Sequence, residues 1–190
     1  EAYVALQENN AIAVIDMDTM AVDRIFGLGF KDFSIPGNEL DASDKDSGVN
    51  IKNWPVMGIY MPDTITSMTF NGKTYFLTAN DGDSREDWLE NVTDQASCES
   101  SGYFFEGGGC HDEVRVKHLV SDAGLTLGDA LIGLDNDENM GRLRTSYHTT
   151  FSKNGNTVDK VYAYGGRSFA IWDVESGTQV FDSGSDFERI

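Results

Sequence analysis

Positive charge is scarce in this chain. In 190 residues, 14 Lys and Arg stand against 32 Asp and Glu, a formal net charge of -18. A polyanion repels a phosphodiester backbone and an anionic lipid surface, so binding to nucleic acid and docking onto acidic membranes are excluded as partners. No apolar run approaches the ~20 residues of a membrane-spanning helix, so no membrane span is expected. Catalytic signatures are also missing. The sequence holds no HExxH, no GxSxG and no Gly-rich phosphate loop. Its three histidines, His111, His118 and His148, lack metal-ligand spacing. Helix signals are few, and 84–92 (SREDWLENV) is the one stretch that reads as a helical turn or two. The chain starts at Glu1 without a signal-peptide pattern, which reads as a processed product or a fragment.

Hydrophobic residues, at 39%, and aromatics, at 11%, are sufficient for a real core. Their pattern is that of strands. Residues 3–6, 11–15 and 21–26 alternate or run apolar between turn signals, which predicts a three-stranded meander. The run 11–15 is almost continuously apolar, as in a strand buried on both faces. Residues 64–70 and 73–78 flank Asn71-Gly72, a strong hairpin signal. Residues 161–164, 168–172 and 178–181 repeat the opening grammar. Alignment of VIDMDTMAVDRIF with IWDVESGTQVFDS places Asp16 against Asp173, Asp18 against Glu175 and Thr19 against Ser176. An Asp at the end of an inner strand can cap the following turn. A further copy is expected over 114–120 and 142–150. With an insertion at about 80–111 set aside, the spacing approaches the about 40–45 residues of a four-stranded propeller blade. The fold class is therefore all-β, a β-propeller with about four blades present in one partial domain over 1–190; a β-sandwich is the rival architecture.

Three long stretches lie between the strands, at 31–60, 80–110 and 122–140, and loops of such length are commonly functional or stapled. Cys98 and Cys110 flank a Gly/Ser-rich stretch. An even cysteine count in such a loop reads as one disulfide, with two free thiols as the alternative. The segment NDGDSRED gathers Asp81, Asp83, Glu86 and Asp87 around Arg85. Alternating carboxylates in a Gly-containing loop suit a hard cation such as Ca²⁺, and Arg85 suits a phosphate or carboxylate, or a structural salt bridge. Asp63, after Pro62, is a candidate channel ligand or a turn starter. Asp135, Asp137 and Asn139 stand at positions 1, 3 and 5 of DNDENMG, as in a calcium loop. The Gly arrives late and Ser146 stands at position 12, which excludes an EF-hand but leaves another calcium site open.

The stretch 3–16 (YVALQENNAIAVID) resembles a surface-type propeller blade of the YVTN kind. The run 57–88, together with MGRLRTSYH (140–148) and GSDFERI (184–190), resembles the bacterial choice-of-anchor I domain. Relatives of that domain are called alkaline-phosphatase-like, and it is similar to mesenchyme-specific cell surface glycoproteins. The resemblance implies a secreted, periplasmic or surface-anchored phytase-like propeller considerably longer than this chain. It thus implies a partner, either the remaining half of the ring or a second copy. Two functions follow as expectations. One is a calcium-bearing binding module for adhesion, surface assembly or mineral contact. The other is a metal-dependent phosphoester hydrolase acting on a small phosphorylated ligand, with Asp63, Asp81 and Asp83 on the metal and Arg85 on the phosphate.

Overall fold

A computed structural model describes residues 1–190. In chain order the strands are β1 (Ala2–Leu6), β2 (Ala11–Asp16), β3 (Ala21–Gly27), β4 (Phe30–Asp32), β5 (Val56–Ile59), β6 (Thr64–Phe70), β7 (Lys73–Asn80) and β8 (Phe104–Glu106). They continue with β9 (Gly109–His111), β10 (Glu113–Arg115), β11 (Thr126–Leu127), β12 (Arg144–Ser146), β13 (Thr157–Val158), β14 (Val161–Tyr164), β15 (Ser168–Asp173) and β16 (Gln179–Asp182). Four short helices intervene: α1 (Glu86–Leu89), α2 (Gln95–Ser100), α3 (His118–Ser121) and α4 (Tyr147–Asn154). The protein is predominantly β, as its residue pattern predicts. No sheet closes on itself.

The chain divides into two compact units. The first comprises Glu1–Lys31, Gly58–Asp83 and Gly165–Ile190. It contains the antiparallel meander β1-β2-β3 and a four-stranded sheet in the order β16-β15-β7-β6. Residues 11 to 14 of β2 are all buried, as a continuous apolar run requires. Asn71 and Gly72 both have positive φ, at 50° and 76°, which is the backbone of a primed hairpin turn joining β6 to β7. Ile12, Leu28, Tyr60, Phe76, Ala170, Trp172 and Val174 form the core of this unit. Within it Trp172 Nε1–H donates to Thr78 Oγ1 at 3.0 Å, so the indole buries its area without leaving its donor unpaired.

One buried cation fastens this unit. The Lys31 side chain is 1% exposed and its Nζ lies 3.0 Å from Asp182 Oδ1. It also donates to the carbonyls of Gly166 (3.0 Å) and Gly184 (2.6 Å). Three acceptors around one ammonium offset the cost of removing it from water.

The second unit comprises Asp32–Met57 and Ser84–Tyr164. Strands β10, β12 and β14 are consecutive members of its main sheet, and β11 pairs with β13 in parallel. Its core gathers Phe33, Leu40, Trp54, Val56, Val114, Val116, Leu119, Leu131, Met140, Val158 and Val161. A smaller cluster of Leu89, Cys98 and Cys110 sits under Val92, Tyr103 and Phe105. The two cysteines form a disulfide with Cα atoms 5.6 Å apart.

Three sequence expectations are corrected here. The hairpins 64–78 and 168–181, expected in separate repeats, lie in one sheet, because β7 and β15 pair antiparallel from Asn80↔Ser168 to Asp173↔Tyr75. The insertion expected over about 80–111 is the first part of a longer excursion, which runs to Tyr164 before β15 resumes the sheet. The copy expected over 114–120 and 142–150 is two short strands, each followed by a helix. Ser146 caps α4, with its Oγ accepting the N–H of Thr149 at 3.0 Å, and this capping overrides the β-leaning Tyr and Thr residues that follow.

Candidate functional site

The segment NDGDSRED was expected to gather its charges at one point. In the structure its members serve separate local purposes. In the first unit, Asp81 Oδ1 accepts the N–H of Asp63 at 3.1 Å. The two candidate residues are brought together, but as a turn fastener. Asp63, Asp81 and Asp83 are all exposed. Residues Arg85, Glu86 and Asp87 belong to the second unit, and Asp87 is exposed.

Arg85 and Glu86 build a polar centre around Asp112, a residue that is 0% exposed. Arg85 Nη1 lies 3.1 Å from Asp112 Oδ2. Asp112 Oδ1 accepts Ser146 Oγ–H at 2.8 Å and the backbone N–H of His148 at 3.1 Å. The Asp112 carbonyl accepts the N–H of Tyr147 at 2.7 Å. Glu86 Oε1 accepts two consecutive amides, Asp112 N–H at 2.8 Å and Glu113 N–H at 2.7 Å. Its other oxygen lies 3.2 Å from His111 Nδ1. The start of α1 carries the pair Arg85-Glu86, which holds β9, β10 and the Asp112 between them, while Asp112 in turn holds the end of β12 and the first turn of α4.

The electrostatics follow from this burial. The Tyr164 hydroxyl is buried close to Asp112, and burial, then the Asp112 charge, push its pKa far above the ordinary phenol value. Burial and the same carboxylate raise the pKa of Tyr103. The Tyr103 ring stacks on His148 with centroids 4.9 Å apart, and His148 Nδ1 lies 3.2 Å from the Gly102 carbonyl.

Ser, His and Asp thus meet in one place, but the Ser146 hydroxyl and the His148 ring bond other partners than each other. Ser146 Oγ bonds Asp112 and Thr149, and the His148 ring bonds a backbone carbonyl. A nucleophile needs its base within hydrogen-bond reach, and here each group is engaged in holding the fold. Neither Asp112 nor Ser146 stood out in the sequence, since a lone Asp after Cys110-His111 carries no recognisable spacing.

The loop of Asp135, Asp137 and Asn139 is held by its own bonds. Asp137 Oδ1 pairs with Lys117 Nζ at 2.8 Å, and this hydrogen bond lowers the Asp137 pKa below its usual range. The even-numbered Asn136 organises the turn, with its Oδ1 accepting the N–H of Asn139 at 3.0 Å. Asn139 Nδ2 donates to the Gly133 carbonyl at 3.2 Å. Gly141 is required because a Cβ there would lie 2.4 Å from the Asp135 carbonyl oxygen. Asp44, from the acidic stretch 41–48, pairs with Arg142 through two guanidinium nitrogens. No three His, Cys, Asp or Glu residues converge as a group that could hold a metal ion.

No helix is long and apolar enough to cross a membrane. The chain matches no curated protein and no solved structure. It does match one family along its whole length, and with residues 1–190 covered the chain belongs to the choice-of-anchor I domain family.

Proposed function

We propose that the protein is a non-catalytic binding module, at work in adhesion, surface assembly or mineral contact. The family marks a surface-associated or secreted setting, and the Cys98–Cys110 disulfide fits an oxidising compartment. The observation that carries the proposal is the commitment of Arg85 to Asp112. The arginine best suited by sequence to grip a phosphate is held 3.1 Å from a fully buried carboxylate. Removing it for a substrate would strand that charge in the interior.

Calcium enters as a weakly associated counter-ion of a chain with net charge -18, in keeping with carboxylates that are dispersed or paired. The open sheets support a partner, either further propeller blades or a second copy. Edge strands β3, β6 and β16 expose Val22, Ile25, Phe70 and Val180, the apolar row that unpaired edges offer to another sheet.

Two measurements test the proposal together. Labelled protein is expected to bind isolated cell-envelope material saturably. It is expected to leave p-nitrophenyl phosphate intact with Ca²⁺, Mg²⁺ or Zn²⁺ added. Turnover that disappears in Arg85→Ala while the fold persists would establish the hydrolase instead.

A further inference from the structure

We propose that a cleft in the second unit, walled by the disulfide-stapled hairpin and by α4, binds an organic ammonium cation. The proposal rests on the binding-module reading and adds a ligand class to it. The cleft encloses about 410 Å³. Tyr103 and Phe104 line one side, Tyr147 and Phe151 of α4 the other, and all four rings are half-buried. Phe104 and Tyr147 lie 5.6 Å apart and tilted by 44°, while Tyr147 and Phe151 lie 5.9 Å apart and nearly parallel. The rings pack on one another and, being half-buried, leave part of their surface open to the cleft. The faces of aromatic rings are negative in their quadrupole and attract a cation.

Two carboxylates complete the lining, Glu99 of α2 and Asp122 after α3, the latter bonded to His118 Nδ1, and no Lys or Arg takes part. Gln95 Nε2 donates to Glu99 Oε1 at 2.7 Å and fixes that carboxylate on its helix. Burial, and after it the Glu99 charge, raise the Tyr147 pKa. An anionic or phosphorylated ligand would find no cationic side chain in this lining and would face two carboxylates. A quaternary ammonium satisfies both features, since it presents methyl groups to the rings and charge to the acids.

The walls are fixed in advance. The disulfide ties α2 to β9, and Ser146 caps the start of α4. Pre-ordered walls lower the entropic cost of taking up a small ligand. The cation is either free or the end of a lysine side chain.

Calorimetric titration of the whole chain decides the matter. Choline is the free probe, Nα-acetyl-lysinamide the side-chain probe, and 3,3-dimethylbutan-1-ol the uncharged isostere of choline. At least one ammonium probe is expected to bind about tenfold more tightly than the alcohol. The tighter of the two identifies the source. Glu99→Gln, an exposed change that spares the fold, and Tyr147→Leu are each expected to weaken that binding severalfold. Equal binding of alcohol and ammonium, or no binding of either ammonium, overturns the proposal. If envelope binding persists in that case, the binding-module reading stands and only the cleft assignment falls; if envelope binding is also absent, both fall.

Discussion

Asp16 and Asp173 occupy the same position in two turns of the first unit. Each ends a central strand, and each carboxylate accepts the backbone N–H groups two and three residues ahead. The distances are 2.8 and 3.0 Å at Asp16, and 3.0 and 3.0 Å at Asp173. The residues that meet in the sequence alignment, Asp18 with Glu175 and Thr19 with Ser176, are the donors in both turns. The echo therefore has a physical basis: the same side-chain cap is used twice to turn a central strand back toward an edge.

The pH dependence follows from these caps. The amides of Thr19 and Asp18 lower the Asp16 pKa, and the Ser176 amide leads the lowering at Asp173. A carboxyl with a depressed folded-state pKa stabilises fully above the unfolded value near 3.9. That contribution fades as pH falls through the lower folded value. Urea midpoints measured at pH 7 and pH 3 are expected to fall on acidification. The fall is expected to be smaller in Asp16→Asn/Asp173→Asn, which has lost both titrations.

Arg85→Ala is expected to destabilise the second unit by about 3–5 kcal/mol, since it leaves the fully buried Asp112 without its cation. Arg85→Ala/Asp112→Asn is expected to recover part of that loss. Denaturant unfolding of both variants and the wild type checks this. A cost for Arg85→Ala within experimental error would show that the ion pair does not fasten this centre.

Reduction of the disulfide, or Cys98→Ser/Cys110→Ser, closes no loop in the unfolded chain and is expected to cost about 3 kcal/mol. The effect is local to the cluster of Leu89, Cys98 and Cys110. Hydrogen exchange is expected to accelerate across α2, β8 and β9, while the amides of β7 and β15 keep their protection.

Gly141→Ala is expected to lose about 1–3 kcal/mol, because the added methyl meets the Asp135 and Asn136 backbone within 2.6 Å. Thermal melting reads the loss. A further loss of the Lys117–Asp137 pair would appear as a weaker response of stability to pH below 4.

Local signals were the legible ones. Asn71-Gly72 predicted its hairpin, the continuous apolar run predicted the buried strand β2, and Asp16 and Asp173 predicted their turns. Each depends on neighbours a few residues away. What the sequence hid is long-range. Lys31 finds Asp182 and the Gly166 and Gly184 carbonyls from the far end of the chain. Asp112 draws Arg85 and Ser146 from opposite directions. Acidic spacing in DNDENMG gave no sign that Lys117 pairs with Asp137. Helix α4 was missed although Ser146 stood at its cap, because the Tyr and Thr residues after it favour strands on propensity alone.

The pairing of β7 with β15 has a kinetic consequence. Asn80 and Ser168, register partners in that sheet, are 88 residues apart in sequence. Closing a flexible loop of that length costs about 4 kcal/mol beyond a constant term. The chain avoids most of that cost if the excursion Ser84–Tyr164 condenses first. The central strand pair of the first unit is then a late event, rate-limited by topology rather than by local propensity. Two buried tryptophans report on the sequence of events. In refolding, Trp54, within the second core, is expected to lose solvent contact early, and Trp172, on β15, in a slower second phase.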